Sequence, residues 1–258
     1  MSHAIQLPPS YHLVLPEHSR YTYSSTTSEF DSHLALICSA ASRPADCSLT
    51  FDDAHVSQFR FAFPLLQQYR LRACFFAIAG WIGRRPDYMH WHQLRQLVSS
   101  GHQVQSHSFS HVALTRCSDA ELRSELANSR SELEQRLGAA VNAISIPFGR
   151  WDLRVIDACA RAGYSQVFTS DPSAPRRVGG VAVLGRFMVR RTTTLDQLKK
   201  VLSADGHTLR WLRARHQCKL LLRASIGERA YDGLWGILRS RKSLSAASRM
   251  CESQVDPQ

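Results

Sequence analysis

The chain has 258 residues, with 32 lysines and arginines against 21 aspartates and glutamates, a formal net charge of +11. Apolar residues at 44% and charged residues at 21% exclude a disordered or fibrous chain, and the length admits one α/β barrel or two smaller domains. The basic excess raises three polyanionic partners, namely nucleic acid, an anionic membrane and an acidic glycan.

Seven cysteines with no CxxC spacing argue against a disulfide framework or a structural zinc module, and for a reducing compartment. The first residues carry neither the basic nor the apolar region of a secretory signal. Ala73–Ile82, the longest apolar run, is too short to span a bilayer. The expectation is a soluble, cytoplasmic chain without an export address.

In chain order, residues 1–33 read as an irregular lead-in rich in Ser, Thr, Pro, Tyr and His. From Leu34 short apolar runs alternate with amphipathic ones. Strands are expected at Leu34–Cys38, Cys47–Phe51, Ala73–Ala79, Gln103–Gln105, Ala143–Ile146 and Gln166–Thr169. Helices are expected at Ser57–Tyr69, Trp91–Ser100, Asp119–Leu137 and Asp152–Ala162. Ser118 and Glu121 form a capping box before the third helix, and Gly138 ends it. Beyond Gly180, Val181–Leu184 and Phe187–Val189 read as strands and Leu195–Leu202 as a short helix. Such alternation implies parallel strands joined by helical crossovers, in a barrel or a doubly wound sheet.

Residues 207–258 read as a basic helical tail. Between 207 and 249 ten basic residues face only Glu228 and Asp232, a net of +8 that leaves +3 for the rest of the chain. Tyr231, Leu234, Trp235 and Leu238 lie at i, i+3, i+4 and i+7, flanked by Arg229, Arg239, Arg241 and Lys242. Two readings stay open: a basic amphipathic helix on an anionic membrane, or an apolar stripe packed on the barrel with its arginines solvated. No zinc-finger, homeodomain or RNP pattern supports nucleic acid as a partner.

Three clusters sit where expected strands end, the place where parallel α/β folds build their sites. Asp52 and Asp53 close the first, Thr50–Asp53. Adjacent carboxylates there point in different directions, so one can bind a metal while the other remains a base; a polar turn is the plainer reading of the pair alone. His107 and His111, in the second, share a face if Ser106–His111 is one helical turn, and with a carboxylate they make a His₂Asp donor set that leaves a coordination position for water. The third runs from Ser145 to Asp152, where Pro147 and Gly149 shape a strand-to-helix turn that a ligand can approach closely.

Taken in order, the three clusters resemble the motifs of the polysaccharide deacetylase family, the NodB-homology enzymes of carbohydrate esterase family 4. Phe75-Phe76, Gly101–Val104 and Ala162–Tyr164 are similar as well, and the likeness runs from Leu49 to Asp171. The resemblance implies a distorted (β/α) barrel of about seven strands over residues 34–206. It implies a divalent metal, usually zinc, on Asp53, His107 and His111, with Asp52 as general base for a water whose pKa the metal lowers to about 7. That water would attack the acetamide of an N-acetylated sugar, in a polysaccharide or its lipid-linked precursor at the inner membrane face, releasing acetate and a free amine. Pro147, Phe148, Gly149 and Trp151 would wall the acetyl pocket, and Asp171 would be the remnant of a later acidic motif. Three departures stand out. Ala54 replaces a usual glycine, and Ser145 replaces an arginine that orients the base. No Leu-x-His motif supplies a general acid, the only late histidines being His207 and His216. The alternatives are a barrel that keeps the metal but only binds a glycan or partner, and a deacylase of a small amide.

Overall fold

The computed structural model describes residues 7–40 and 49–226, and the chain divides into two units, Met1–Arg210 and Trp211–Gln258. The first unit is an α/β layer built on strands β1 (Pro9–Tyr11), β4 (Thr50–Phe51), β5 (Cys74–Ala77), β6 (Gln103–Ser106), β7 (Ala143–Ser145), β8 (Gln166–Phe168), β9 (Arg176–Val178), β10 (Val181–Leu184) and β11 (Phe187–Met188). Their order is β11-β1-β4-β5-β6-β7-β8-β10-β9, parallel throughout except for the antiparallel edge pair β9 and β10. The parallel sheet is curled into a half-barrel. Among the described residues its end strands, β9 and β11, do not pair with each other.

Helices α1 (Thr27–Ala40), α2 (Phe63–Gln68), α3 (Trp91–Ser99), α4 (Asp119–Leu137), α5 (Leu153–Arg161) and α6 (Leu195–Leu202) accompany the sheet. Ser118 caps α4 as its sequence predicts, accepting the Glu121 N–H while Glu121 accepts the Ser118 N–H at 2.8 Å. Gly138 ends it at φ +63°. Paired strands stack apolar side chains in register: Phe51 of β4 and Phe75 of β5 lie 4.7 Å apart and 7° from coplanar. Strands and helices elsewhere fall within a few residues of the sequence reading. For Cys47–Phe51 the described part is Thr50–Phe51.

Two expectations are corrected. Leu34–Cys38 is not a strand but lies inside α1. Thr26 and Glu29 form a capping box, and Phe30, Leu34 and Ile37 follow at i, i+4 and i+7, all fully buried. The helical period outweighs a locally apolar run. Nor is the stretch 1–33 irregular over its described part. Besides β1, residues Leu13–Leu15 (β2) and Ser24–Thr26 (β3) pair as a separate two-stranded parallel sheet. Leu7, Tyr11 and Val14 are buried, so this segment belongs to the core.

Helix Ser57–Tyr69 is also not uniform. It opens as a π-helical turn, Gln58–Ala62, and continues as α2. The second unit begins within helix α7 (Gly206–Ile226). The stripe from Tyr231 to Leu238 lies outside the described residues.

His102 ties the core to pH. Its Nδ1 accepts the Ala73 N–H at 3.2 Å, and its ring meets the edges of Phe63 and Phe75. Burial, helped by Arg72, pushes the ring down to about 4. The folded ring therefore binds fewer protons than the unfolded one between about pH 4 and its free value near 6.5, so its contribution to stability is lost as pH falls through that window. We expect the melting temperature to fall between pH 7 and 4.5, and less steeply in His102→Gln, as read by thermal unfolding at several pH values. Equal slopes in the two proteins would refute the assignment.

Candidate metal centre and catalytic pair

The carboxyl ends of the parallel strands carry the candidate residues: His12 follows β1, Asp52 and Asp53 follow β4, His107 follows β6, and Pro147 follows β7. Asp53 Oδ1 lies 3.4 Å from His107 Nε2 and 3.6 Å from His111 Nε2. One donor atom from each of the three residues falls within 4.8 Å of the other two. The histidines do not reach this point from a helical turn, as their spacing allows. They stand in a loop with Ser108 at φ +63° and His111 at φ +60°. That loop is held by Glu125, whose carboxylate accepts the N–H groups of Phe109 and Ser110 at 3.0 and 2.9 Å, and by Ser108 Oγ, which accepts the His111 N–H.

These residues fit a divalent cation. Asp53 Oδ1 is buried and accepts no hydrogen bond. His107 donates Nδ1–H to the Ser145 carbonyl at 2.7 Å, which fixes the tautomer and turns the Nε2 lone pair toward Asp53. Burial opposes a charge on His107, but Asp52 and Asp53 outweigh it and raise its pKa, an environment that favours positive charge at this point. Burial and His107 together push His111 down to about 4, keeping its nitrogen available as a donor.

Beside the cluster Asp52, nearly inaccessible, forms a two-pronged pair with Arg186: Nη1 to Oδ1 at 2.8 Å and Nη2 to Oδ2 at 2.9 Å. Arg186, in the link from β10 to β11, also donates to Ser145 Oγ at 2.8 Å. Burial works against the Asp52 charge, yet Arg186, then His107 and His12, hold the carboxyl well below the usual carboxylate range. The arginine that Ser145 displaces is thus present, brought from 41 residues further along the chain. Its sequence signal was a lone arginine between two apolar strands.

His12 was missed as well. Its Nε2 lies 3.9 Å from Asp52 Oδ2, and its Nδ1 is buried without a hydrogen-bond partner. Burial lowers its pKa against the pull of Asp53 and Asp52. The signal was a histidine placed directly before the short apolar run Leu13–Leu15. By contrast His207 and His216 stand on α7.

Gln58 is a third residue outside the sequence reading. Fully buried on the π-helical turn, it donates from Nε2 to the carbonyls of His12 at 2.7 Å and Asp52 at 2.5 Å. Gln58→Leu removes both bonds and is expected to cost about 2 kcal/mol, with a parallel loss of whatever turnover the pair supports. Unfolding curves as stable as wild type would contradict this.

The remaining expected residues line the rim. Phe148 is 59% exposed at φ +59°, with its ring 4.7 Å from that of His111. Gly149 at φ +64° has no room for a side chain, since a Cβ would come within 2.4 Å of Ser170 Oγ. Trp151 donates Nε1–H to Asp171 at 3.0 Å, so Asp171 orients the indole. Pro147 is buried beneath this turn. Of the seven described non-glycine residues at positive φ, five are Asp53, Ala54, Ser108, His111 and Phe148. Such strain concentrates at functional sites, and it shows why glycine suits position 54.

Fold and cluster together define a curled α/β half-barrel bearing an Asp-His-His cluster with the donor set for a metal ion and a buried carboxylate–arginine pair. The sequence model of the family described as polysaccharide deacetylase matches residues 40–167, and the chain belongs to that family. It is 33% identical over 140 residues to a chitooligosaccharide deacetylase of Bradyrhizobium sp. (strain ANU 289), covering 51% of this chain and 59% of the relative. The chain spans about half the length of the curated relatives it matches. Its fold is that of the Streptococcus pyogenes deacetylase PplD solved with acetate, at TM-score 0.69, 19% identity and coverage of 77% of this chain and 99% of that one. The fold is likewise that of IcaB from Ammonifex degensii, at TM-score 0.66, 24% identity and coverage of 80% and 96%.

Proposed function

We propose that this chain is a divalent-metal-dependent hydrolase that removes N-acetyl groups from amino sugars of a polysaccharide or its lipid-linked precursor. The observation that carries the reading is the Asp53–His107–His111 cluster set beside a second, unshared carboxylate, Asp52, locked by Arg186. A module that only binds has no use for a free buried base next to a metal site. The general acid and the orienting arginine, whose absence favoured a binding protein, have counterparts in His12 and Arg186.

Asp53, His107 and His111 would hold the cation. Two imidazole nitrogens and one carboxylate oxygen suit zinc, the ion we assign. When bound, it supplies Lewis acidity that acidifies water and polarises the acetamide carbonyl. Asp52, kept ionised and aimed by Arg186, takes the proton from the attacking water. His12, beside the Asp52 carboxylate, receives that proton from Asp52 and passes it to the departing amine, leaving both groups as they began. The exposed ring of Phe148 and the indole of Trp151 flank the acetyl group and the sugar face, over Pro147 and Gly149.

Acetate release from N-acetylated oligosaccharides by the zinc-loaded protein tests the reading. Activity should disappear on chelation and return with zinc. Release at an unchanged rate after chelation would refute metal dependence.

We place the protein in the cytoplasm, a reading supported by the free thiols of Cys38, Cys117, Cys159 and Cys218. Peripheral contact of the tail with anionic membrane is supported by α7, which exposes Trp211, Leu220, Leu221 and Leu222 among basic residues. No described helix is long and apolar enough to cross a membrane. Vesicle binding that is lost at high salt, and lost on deleting the residues after Arg210, is the expected behaviour.

A further inference from the structure

Two arginines near the site have no part in this chemistry. Arg85 lies in the segment that leaves the carboxyl end of β5. Its guanidinium carbon sits 3.8 Å from the centre of the Trp81 ring, and Trp81 packs 5.5 Å from His111. Arg190 follows the carboxyl end of β11. Its guanidinium lies 5.7 Å from Tyr23, which stacks on His12 at 5.0 Å. Each cation is therefore two ring contacts from a residue of the proposed machinery. Neither forms an ion pair with a carboxylate among the described residues, whereas Arg176, over Trp151, has Asp171 at 3.9 Å.

A neutral sugar is satisfied by aromatic faces and hydrogen-bonding groups. Unpaired guanidinium groups are a different provision. Stacked on a ring, a guanidinium loses little freedom on binding and keeps edge N–H groups in the fork that matches carboxylate or phosphate oxygens. Two such groups beside the site also draw anions toward it. The overall +11 does not by itself explain them, since +6 of it falls beyond residue 206.

We infer that the site takes an anionic N-acetylated glycan, in which phosphate or carboxylate groups on or next to the acetylated sugar meet Arg85 on the β5 side of the site and Arg190 on the β11 side. The inference rests on the deacetylase reading for which sugar is acetylated, but the anion site is testable apart from it.

Three probes separate the sources: chitotetraose (neutral), a tetrasaccharide alternating N-acetylglucosamine with glucuronate, and UDP-N-acetylglucosamine for diphosphate. Acetate release by the zinc-loaded wild type gives kcat/KM for each. Calorimetry with zinc-loaded Asp52→Asn at 50 and 300 mM salt gives binding. At least one anionic probe should exceed chitotetraose about tenfold, the better arm identifying phosphate or carboxylate. That preference should shrink at high salt and fall several-fold in Arg85→Gln and in Arg190→Gln. An equal or greater preference for chitotetraose, or a preference that neither variant moves, overturns the inference. Anionic preference in binding without acetate release from any probe would instead sustain the anion site and overturn the deacetylase reading.

Discussion

Asp52→Asn is expected to lower acetate release by about 10²–10⁴-fold, the range over which general base catalysis contributes, while zinc binding is retained. Asparagine matches the aspartate in shape, so the position beside the metal cluster stays filled. It cannot take a proton from water, however, and it offers Arg186 one acceptor in place of two. The three residues assigned to the metal are untouched, so zinc measured on the purified protein should equal that of wild type. His107→Ala should behave in the opposite sense, losing zinc first and turnover with it. Equal acetate release by wild type and Asp52→Asn would remove Asp52 from the mechanism. Loss of zinc in Asp52→Asn would make it a ligand instead.

Arg186→Met is the second. It is expected to be the most destabilising single change at the site. Arg186 is 1% exposed and Asp52 is 2% exposed. Removing one partner of a buried, doubly bonded ion pair leaves the other charge without compensation, at about 3–5 kcal/mol. For a unit of this size that is a fall in melting temperature on the order of 10 °C. Turnover should fall together with stability, because the base loses the fork that aims it. The double variant Asp52→Asn/Arg186→Met, which removes both charges, should be less destabilised than Arg186→Met alone. This non-additivity separates a charge pair from two unrelated packing residues. Additive losses in thermal unfolding would show that Asp52 and Arg186 do not act as a unit.

Much of the site could be read along the chain because its parts are local. Asp52-Asp53, His107 and His111, and Pro147–Gly149 each occupy a short run at one strand exit, and a strand exit has a visible signature in apolar run and turn residues. Ser118–Glu121 and Asp152 announced their helices in the same way, through caps whose hydrogen bonds span three residues. The geometry joining the two histidines was not legible in this way. Spacing of four fits a helical turn, whereas the chain reaches the same juxtaposition through positive φ at Ser108 and His111, supported by Glu125 from α4.

Local periodicity misled in one place and was overlooked in another. Leu34–Cys38 is apolar enough for a strand, yet Phe30, Leu34 and Ile37 repeat with the helical period behind the Thr26 cap. Residues 9–15 carry the apolar run Leu13–Leu15, too brief to stand out within a polar, proline-rich segment.

The sequence by itself determined the family, the curled α/β architecture and the Asp-His-His cluster, because residue type and short-range spacing suffice where a strand delivers a side chain directly to its exit. Only the tertiary structure decided that Asp52 is paired with Arg186 and lies near His12. Arg186 and His12 lie 134 residues after Asp52 and 40 before it, and neither separation carries a periodic or turn signal. They meet because β1 is hydrogen-bonded between β11 and β4, a choice made by sheet pairing and core burial. The same pairing brings Arg190, which follows β11, to Tyr23, whose ring stacks on that of His12.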